Sequence, residues 1–206
     1  MDKLKSLIQF NKNSQEQLKR QKLLKQSRVD INDPLAINNL KKLIKHKLKN
    51  KYDPLHQDLV LICIGSDRST GDSLGPLTGS KLNNFNFDKK VSVLGSLESP
   101  VHAKNLQETL NYIDKNYSNP FIIAIDASLG KSSSVGSISI NDGALKPGSG
   151  VNKNLPEVGD IHITGLVNVS GYMEYFVLQS TRLHIVVQMS KIIAYSLVQS
   201  IKSIYN

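Results

Sequence analysis

Short apolar runs and helical stripes alternate along most of this chain. Residues 59–65 (LVLICIG) are apolar at every position up to the closing glycine, the pattern of a strand buried on both faces. Residues 91–97 (VSVLGSL) and 120–127 (PFIIAIDA) read as two more strands. Residues 135–143 (VGSISINDG) alternate and predict a more exposed strand, and 160–171 (DIHITGLVNVSG) hold at least one further short one.

Helical spacing fills the gaps. A helix is predicted from Asp33 as N-cap, with Pro34 at its first position and Leu35, Leu40, Leu43, Ile44 and Leu48 on one stripe. Residues 72–82 form another. Residues 99–117 form a third, with Ser99 as N-cap and Pro100 at the first position. A long helix over 180–205 carries Leu183, Val186, Val187, Ile193 and Leu197 on its apolar face. This order predicts an α/β domain over 33–206, a mostly parallel sheet with helices on both faces.

Charge separates the remaining residues from that domain. Of the 26 Lys and Arg and 17 Asp and Glu, residues 1–50 hold 13 and 4, which leaves 13 and 13 for residues 51–206. The basic excess therefore belongs to the N-terminal quarter and says nothing about the body. Residues 1–32 read as a basic arm, partly helical or disordered. Nucleic acid is expected only as a partner of that arm. Cys63, the single cysteine, lies inside an apolar run, which excludes an intrachain disulfide and a paired-cysteine metal knuckle. No stretch reads as a signal peptide or a membrane span, so a cytoplasmic protein without membrane contact is expected.

The candidate chemistry sits where apolar runs end. Asp67 and Asp72 follow the first strand in IGSDRSTGDSLGP, and Asp126 closes the third in FIIAIDASLG. Ligands of open α/β sheets sit beyond the carboxyl ends of the strands. If these two strands are neighbours, Asp72 and Asp126 face each other across the crevice. Such a pair can share a proton, one carboxyl serving as base and the other as acid, or it can ligate a divalent metal. Each can also be a local cap, Asp72 at a helix N-terminus and Asp126 at the turn after its strand. Asp67 reads as a turn residue. The loop lacks the lysine and paired glycines of a phosphate cradle, and its carboxylates would repel phosphate. In PGSGV, Gly148 and Gly150 permit positive φ and Ser149 offers a hydroxyl, so the loop could present backbone donors to substrate.

The segments IGSDRSTGDSLGP, IAIDASLG and NDGALKPGSGVNKNLPEVG resemble, in order, signature stretches of the germination protease of spore-forming bacteria. The match is nearest to its smaller sporulation-associated relatives, the YyaC-type proteins, and spans about residues 55–200. The same core is similar to the hydrogenase-maturation endopeptidases. The resemblance implies a three-layer α/β/α phosphorylase/hydrolase-like fold and endopeptidase chemistry in the cytoplasm of the sporulating cell or spore. Asp72 and Asp126 would be the catalytic aspartates, without a cofactor. Ser66, Gly148, Ser149 and Gly150 are expected to bind substrate. The partner would be a protein or peptide, small acid-soluble spore proteins among the candidates, and a homo-oligomer is compatible with the sequence. By analogy with the maturation enzymes, a metal, if bound, would be held by Asp72, Asp126 and His162. The alternative is a non-catalytic peptide- or metal-binding protein on the same fold. His102 reads as a surface residue near a helix N-terminus. Gly71 stands where the germination protease has a proline, and the basic arm lies outside the similarity.

Overall fold

The computed structural model describes residues 27–87, 90–148 and 155–205. In chain order the elements are β1 (Arg28–Asp30), α1 (Ala36–Lys51), β2 (Leu59–Cys63), α2 (Leu74–Leu82), β3 (Val91–Leu94) and α3 (Leu106–Asn116). They continue as β4 (Phe121–Gly130), β5 (Ser137–Asp142), β6 (Ile161–Val169), α4 (Glu174–Gln179) and α5 (Leu183–Tyr205). Short 3-10 turns occupy Gly71–Ser73 and Ser132–Ser134.

The strands make one sheet in the order β1-β5-β6-β4-β2-β3. Its four strands β3, β2, β4 and β6 are parallel, while β5 and β1 add antiparallel to one side. Helices α1, α2 and α5 cover one face, where Leu40, Ile44, Leu74, Met189, Ile193 and Leu197 pack over Leu59, Leu61, Ile123 and Ile163. On the other face Leu106 and Ile113 of α3 lie over Val60, Ile62 and Ala124. Alternate residues of β2 thus feed two cores, which is why its sequence is apolar without interruption. Burying each Leu or Ile side chain contributes about 1.5–3 kcal/mol. The three-layer α/β/α architecture and mostly parallel sheet are those expected from the sequence.

Several local expectations change. The chain enters the sheet before Asp33: Val29, 3% exposed, anchors β1 in register with Ile138. Three residues are too few for a periodic signal. Asp33 does not cap α1 directly. Its carboxylate accepts the Leu35 N–H and the Asn39 amide, both at 2.8 Å, and the helix begins at Ala36 with Leu35 outside the core. The helix expected from Ser99 starts only at Leu106, because Val101 bridges in parallel to Ile64 and its carbonyl accepts the Gly65 N–H at 2.8 Å. His102 therefore lies in the loop before α3. In α5, Val186, Ile193 and Leu197 are buried but Leu183 and Val187 are exposed, so the core face turns toward Met189 instead. Helix α4 was not predicted at all.

Candidate active site at the carboxyl edge of the sheet

Two glycines bring Asp72 back over the end of β2. Gly65 follows the last bridged residue of that strand with φ +144°, and a Cβ there would stand 2.0 Å from the Asp72 carbonyl oxygen. With no side chain in the way, the Ser66 N–H donates to that carbonyl at 3.0 Å and closes the loop. Asp72 sits in the 3-10 turn leading into α2, where the helix amino end favours negative charge. Gly75 lets α2 approach the strand: a Cβ there would meet the Ile64 carbonyl oxygen at 2.0 Å. Gly65 and Gly75 therefore serve the close approach of loop and helix to the strand end, and the loop presents a carboxylate.

Asp126 arrives from the adjacent strand. Strands β2 and β4 are parallel neighbours with Ile62 beside Ala124 and Cys63 beside Ile125, so the expected adjacency holds. Asp126 pairs in register with Thr164 of β6, and the β4–β6 ladder shifts register between Ser128 and Leu129. Such an irregularity bends a strand and re-aims its side chains, often beside a functional site. A cleft of about 160 Å³ opens here, lined by Asp72 and Asp126 together with Ser128, Lys146, Thr164 and Glu174.

The two carboxyls differ in environment. Asp126 is 7% exposed and its Oδ1 accepts the Ala127 N–H at 2.7 Å. Burial pushes its carboxyl well above the usual carboxylate range, and the nearby negative charge of Asp72 raises it further; the Ala127 hydrogen bond opposes both. Asp72 is only half-buried. One carboxyl, raised by burial and by its neighbour's charge, thus lies beside another that reaches solvent, the kind of asymmetry that can separate an acid from a base. The lining cation, Lys146, is ion-paired with Glu157 at 2.9 Å.

Other expected site residues fall differently. Gly148 lines the cleft and adopts φ +69°, in keeping with the positive φ expected of it. Ser149 and Gly150 lie outside the described residues. Ser66 is not among the lining residues; its Oγ accepts the Arg68 N–H at 3.2 Å within the loop. Asp67 is exposed on that turn. His162 lies near the amino end of β6, two residues before Thr164, and its Nδ1 is 2.9 Å from the Gly143 carbonyl oxygen. The structure does not bring it to the aspartates. Among the described residues no group of three or more His, Cys, Asp or Glu side chains is placed to hold a metal ion, so the trio Asp72, Asp126 and His162 is not assembled. Cys63 is fully buried and its thiol is pushed far up by desolvation, which removes it as a nucleophile.

Sequence reasoning missed Glu174, Lys146 and Leu178. Lys146 stands inside a segment already singled out, NDGALKPGSG, but its alternation with small residues carries no signal of a cleft. Glu174 and Leu178 come from α4. The turn at Gly171 and the glutamate three residues on, whose carboxylate accepts the Gly171 N–H at 3.1 Å, could have marked its start.

An α/β/α sheet with a carboxylate pair at the carboxyl edge of adjacent parallel strands is the class of protein these features define. The chain belongs to the family described as a protein of unknown function, DUF1256, whose model matches residues 28–196. It is 50% identical over 166 residues to the uncharacterized protein YyaC of Bacillus subtilis (strain 168), covering 81% of this chain and 79% of that one. The YyaC-type resemblance is borne out. Among solved structures it is similar to the NiFe hydrogenase maturation protease HycI from Thermococcus kodakarensis KOD1, at 13% identity and a TM-score of 0.48, over 78% of this chain and 99% of that one. No helix among the described residues is long and apolar enough to cross a membrane.

Proposed function

We propose that this protein is an endopeptidase of the spore programme in which Asp72 and Asp126 act as a base–acid pair. The observation that carries this reading is the pairing of a buried Asp126, its carboxyl raised by burial and by Asp72, with a more accessible Asp72 in one cleft. The order of the GDSLGP, IDA and PGSGV segments supports the substrate class, a protein or peptide, through their resemblance to the germination protease.

The chemistry follows from the asymmetry. Ionised Asp72 takes a proton from a water, and the water oxygen forms a bond to the scissile carbonyl carbon. Asp126 donates its proton to the amide nitrogen as the C–N bond breaks. The proton on Asp72 then passes to Asp126, directly or by exchange of one proton each with solvent, which restores the starting pair. Each proton-transfer role typically contributes about 10²–10⁴-fold. Thr164 and Ser128 flank Asp126 in the same cleft and offer hydroxyls to the peptide or the attacking water.

The test is incubation with purified small acid-soluble spore proteins and mass spectrometry of the products, with and without chelator. Wild type should cleave equally in both conditions, and Asp72→Asn and Asp126→Asn should not. Cleavage that persists in both variants contradicts the pair. Loss of cleavage on chelation would instead assign the carboxylates to a divalent metal.

A further inference from the structure

The sheet ends at β1, which has β5 on one side and no strand on the other among the described residues. The Ile31 N–H donates to the Gly136 carbonyl and the Ile140 N–H to the Ser27 carbonyl, both at 2.9 Å. With Val29 in register with Ile138, residues 27, 29 and 31 therefore turn their peptide groups toward β5. Directions alternate along an antiparallel strand, so Arg28 and Asp30 turn theirs outward. The Asp30 carbonyl accepts the Asp33 N–H at 3.2 Å, and a carbonyl oxygen can accept a second bond. Such an edge is a template for a further strand.

The side chains of this edge carry opposite charges. Val29 is buried in the core beneath α1 and α5, which puts Arg28 and Asp30 together on the opposite face of the strand, both exposed. A cavity of about 540 Å³ lies on that face, lined by Arg28 and Asp30 with Ser134, Ser139 and Asn141. Arg28 donates from Nε to Ser139 Oγ and from Nη1 to Ser134 Oγ, each at 3.3 Å, and pairs with no carboxylate among the described residues. Asp30 Oδ1 accepts the Asn32 N–H at 2.8 Å, and no cation among the described residues pairs with that carboxylate. The strand thus presents one unpaired cation and one unpaired anion, two positions apart.

We propose that β1 pairs antiparallel with β1 of a second copy about a two-fold axis at Val29, joining the two sheets into one. Charge selects the register. Antiparallel pairing can set Arg28 opposite the partner's Arg28, Asp30 opposite the partner's Asp30, or Arg28 opposite the partner's Asp30. The first two juxtapose like charges, which destabilises a cross-strand pair, whereas the third joins opposite ones, and the two-fold makes that pair twice. In the same register Arg28 and the partner's Asp30 exchange both outward backbone bonds. A foreign strand without the mirrored charges leaves both side chains unpaired, so a second copy fits this edge better than an arbitrary extended peptide. The cleft lies between β4 and β2, beyond β5 and β6 from this edge, and the pairing does not depend on the peptidase reading.

Sedimentation of the full chain tests this. Wild type should dimerise at about 10–100 µM, as suits a small interface. Arg28→Asp and Asp30→Arg each set like charges at both pairs, and each alone should dimerise at least about tenfold more weakly. Mixed in equal amounts, the two variants regain opposite charges at both pairs, so the heterodimer should form with wild-type affinity. Thermal melts check that both are folded. Should Asp30→Arg unfold through loss of its bond to Asn32, the comparison of Arg28→Lys with Arg28→Asp decides: the first should keep the dimer and the second lose it. A wild-type chain that stays monomeric across that range overturns the pairing and leaves the edge to residues 1–26 of its own chain. A dimer unchanged in Arg28→Asp, or two folded monomeric variants that do not combine, overturns it as well and places the contact elsewhere. Cleavage of spore proteins should be the same in Arg28→Asp as in wild type, so failure of the pairing and failure of the aspartate chemistry are read separately.

Discussion

At the scale of the residue, the account turns on one proton. Asp126 sits where an ionised carboxylate lacks water and faces the charge of Asp72. Its carboxyl titrates above that of the unfolded chain, so between the two values the folded state binds more protons than the unfolded one. Stability then falls as pH rises through that window, starting near the ordinary aspartate value. Asp126→Asn removes the penalty while keeping an oxygen for the Ala127 N–H. The variant should melt higher than wild type at neutral pH, with the gap closing as pH falls below 4. Thermal scans at pH 3.5, 5 and 7 check this; a variant less stable than wild type at pH 7 would show that Asp126 is a favourable, ionised cap. On activity the same substitution, and Asp72→Asn, should each cost about 100-fold or more in kcat. Both aspartates were visible in the sequence because Asp126 closes an apolar run and Asp72 lies in the polar loop that follows another. Their contrasting burial was not, since it depends on how far the loop after Gly65 folds back.

Elements set the geometry of that proton. The loop from β2 to α2 works only because Gly65 and Gly75 leave room for a carbonyl oxygen where a Cβ would stand. Gly75→Ala puts a methyl 2.0 Å from the Ile64 carbonyl and must push α2 off the strand. We expect a loss of about 1–3 kcal/mol in urea unfolding, as for other overpacked sites, with activity falling further as Asp72 shifts. Unchanged stability and activity would mean that α2 can slide without moving the site. The main strands and helices were legible because their apolar periods are strong and their lengths ordinary. Helix α4 was not, since none of its six residues is fully buried and the apolar stripe that marks a helix is missing. Two of its hydrophobic residues, Tyr175 and Phe176, are exposed, while Leu178 packs against the core. The start of α3 was misplaced for the opposite reason: a strong N-cap pattern at Ser99 and Pro100 was overridden by the bridge from Val101 to Ile64.

On the scale of the whole molecule, strand order makes the site. Only because β4 lies directly beside β2 in the sheet do two aspartates more than fifty positions apart share a cleft. Alternating βα segments predicted a parallel sheet, but alternation alone does not fix which strands adjoin; the adjacency came from the resemblance and is seen in the register. His162 illustrates the limit of order without register, since it belongs to the right strand, on the other flank of β4, but lies two residues too early to join the pair. The central claim, that the sheet forces two carboxyls to share a proton, needs no substrate to test. Carboxyl carbons of the aspartates can be followed by ¹³C NMR across a pH titration in wild type and in Asp72→Asn. The account predicts that Asp126 titrates well above the ordinary aspartate range in wild type, and that Asp72→Asn lowers its midpoint but leaves it raised, because burial is the larger cause. An Asp126 that titrates normally in wild type, or whose midpoint does not move when Asp72 loses its charge, would contradict the pair.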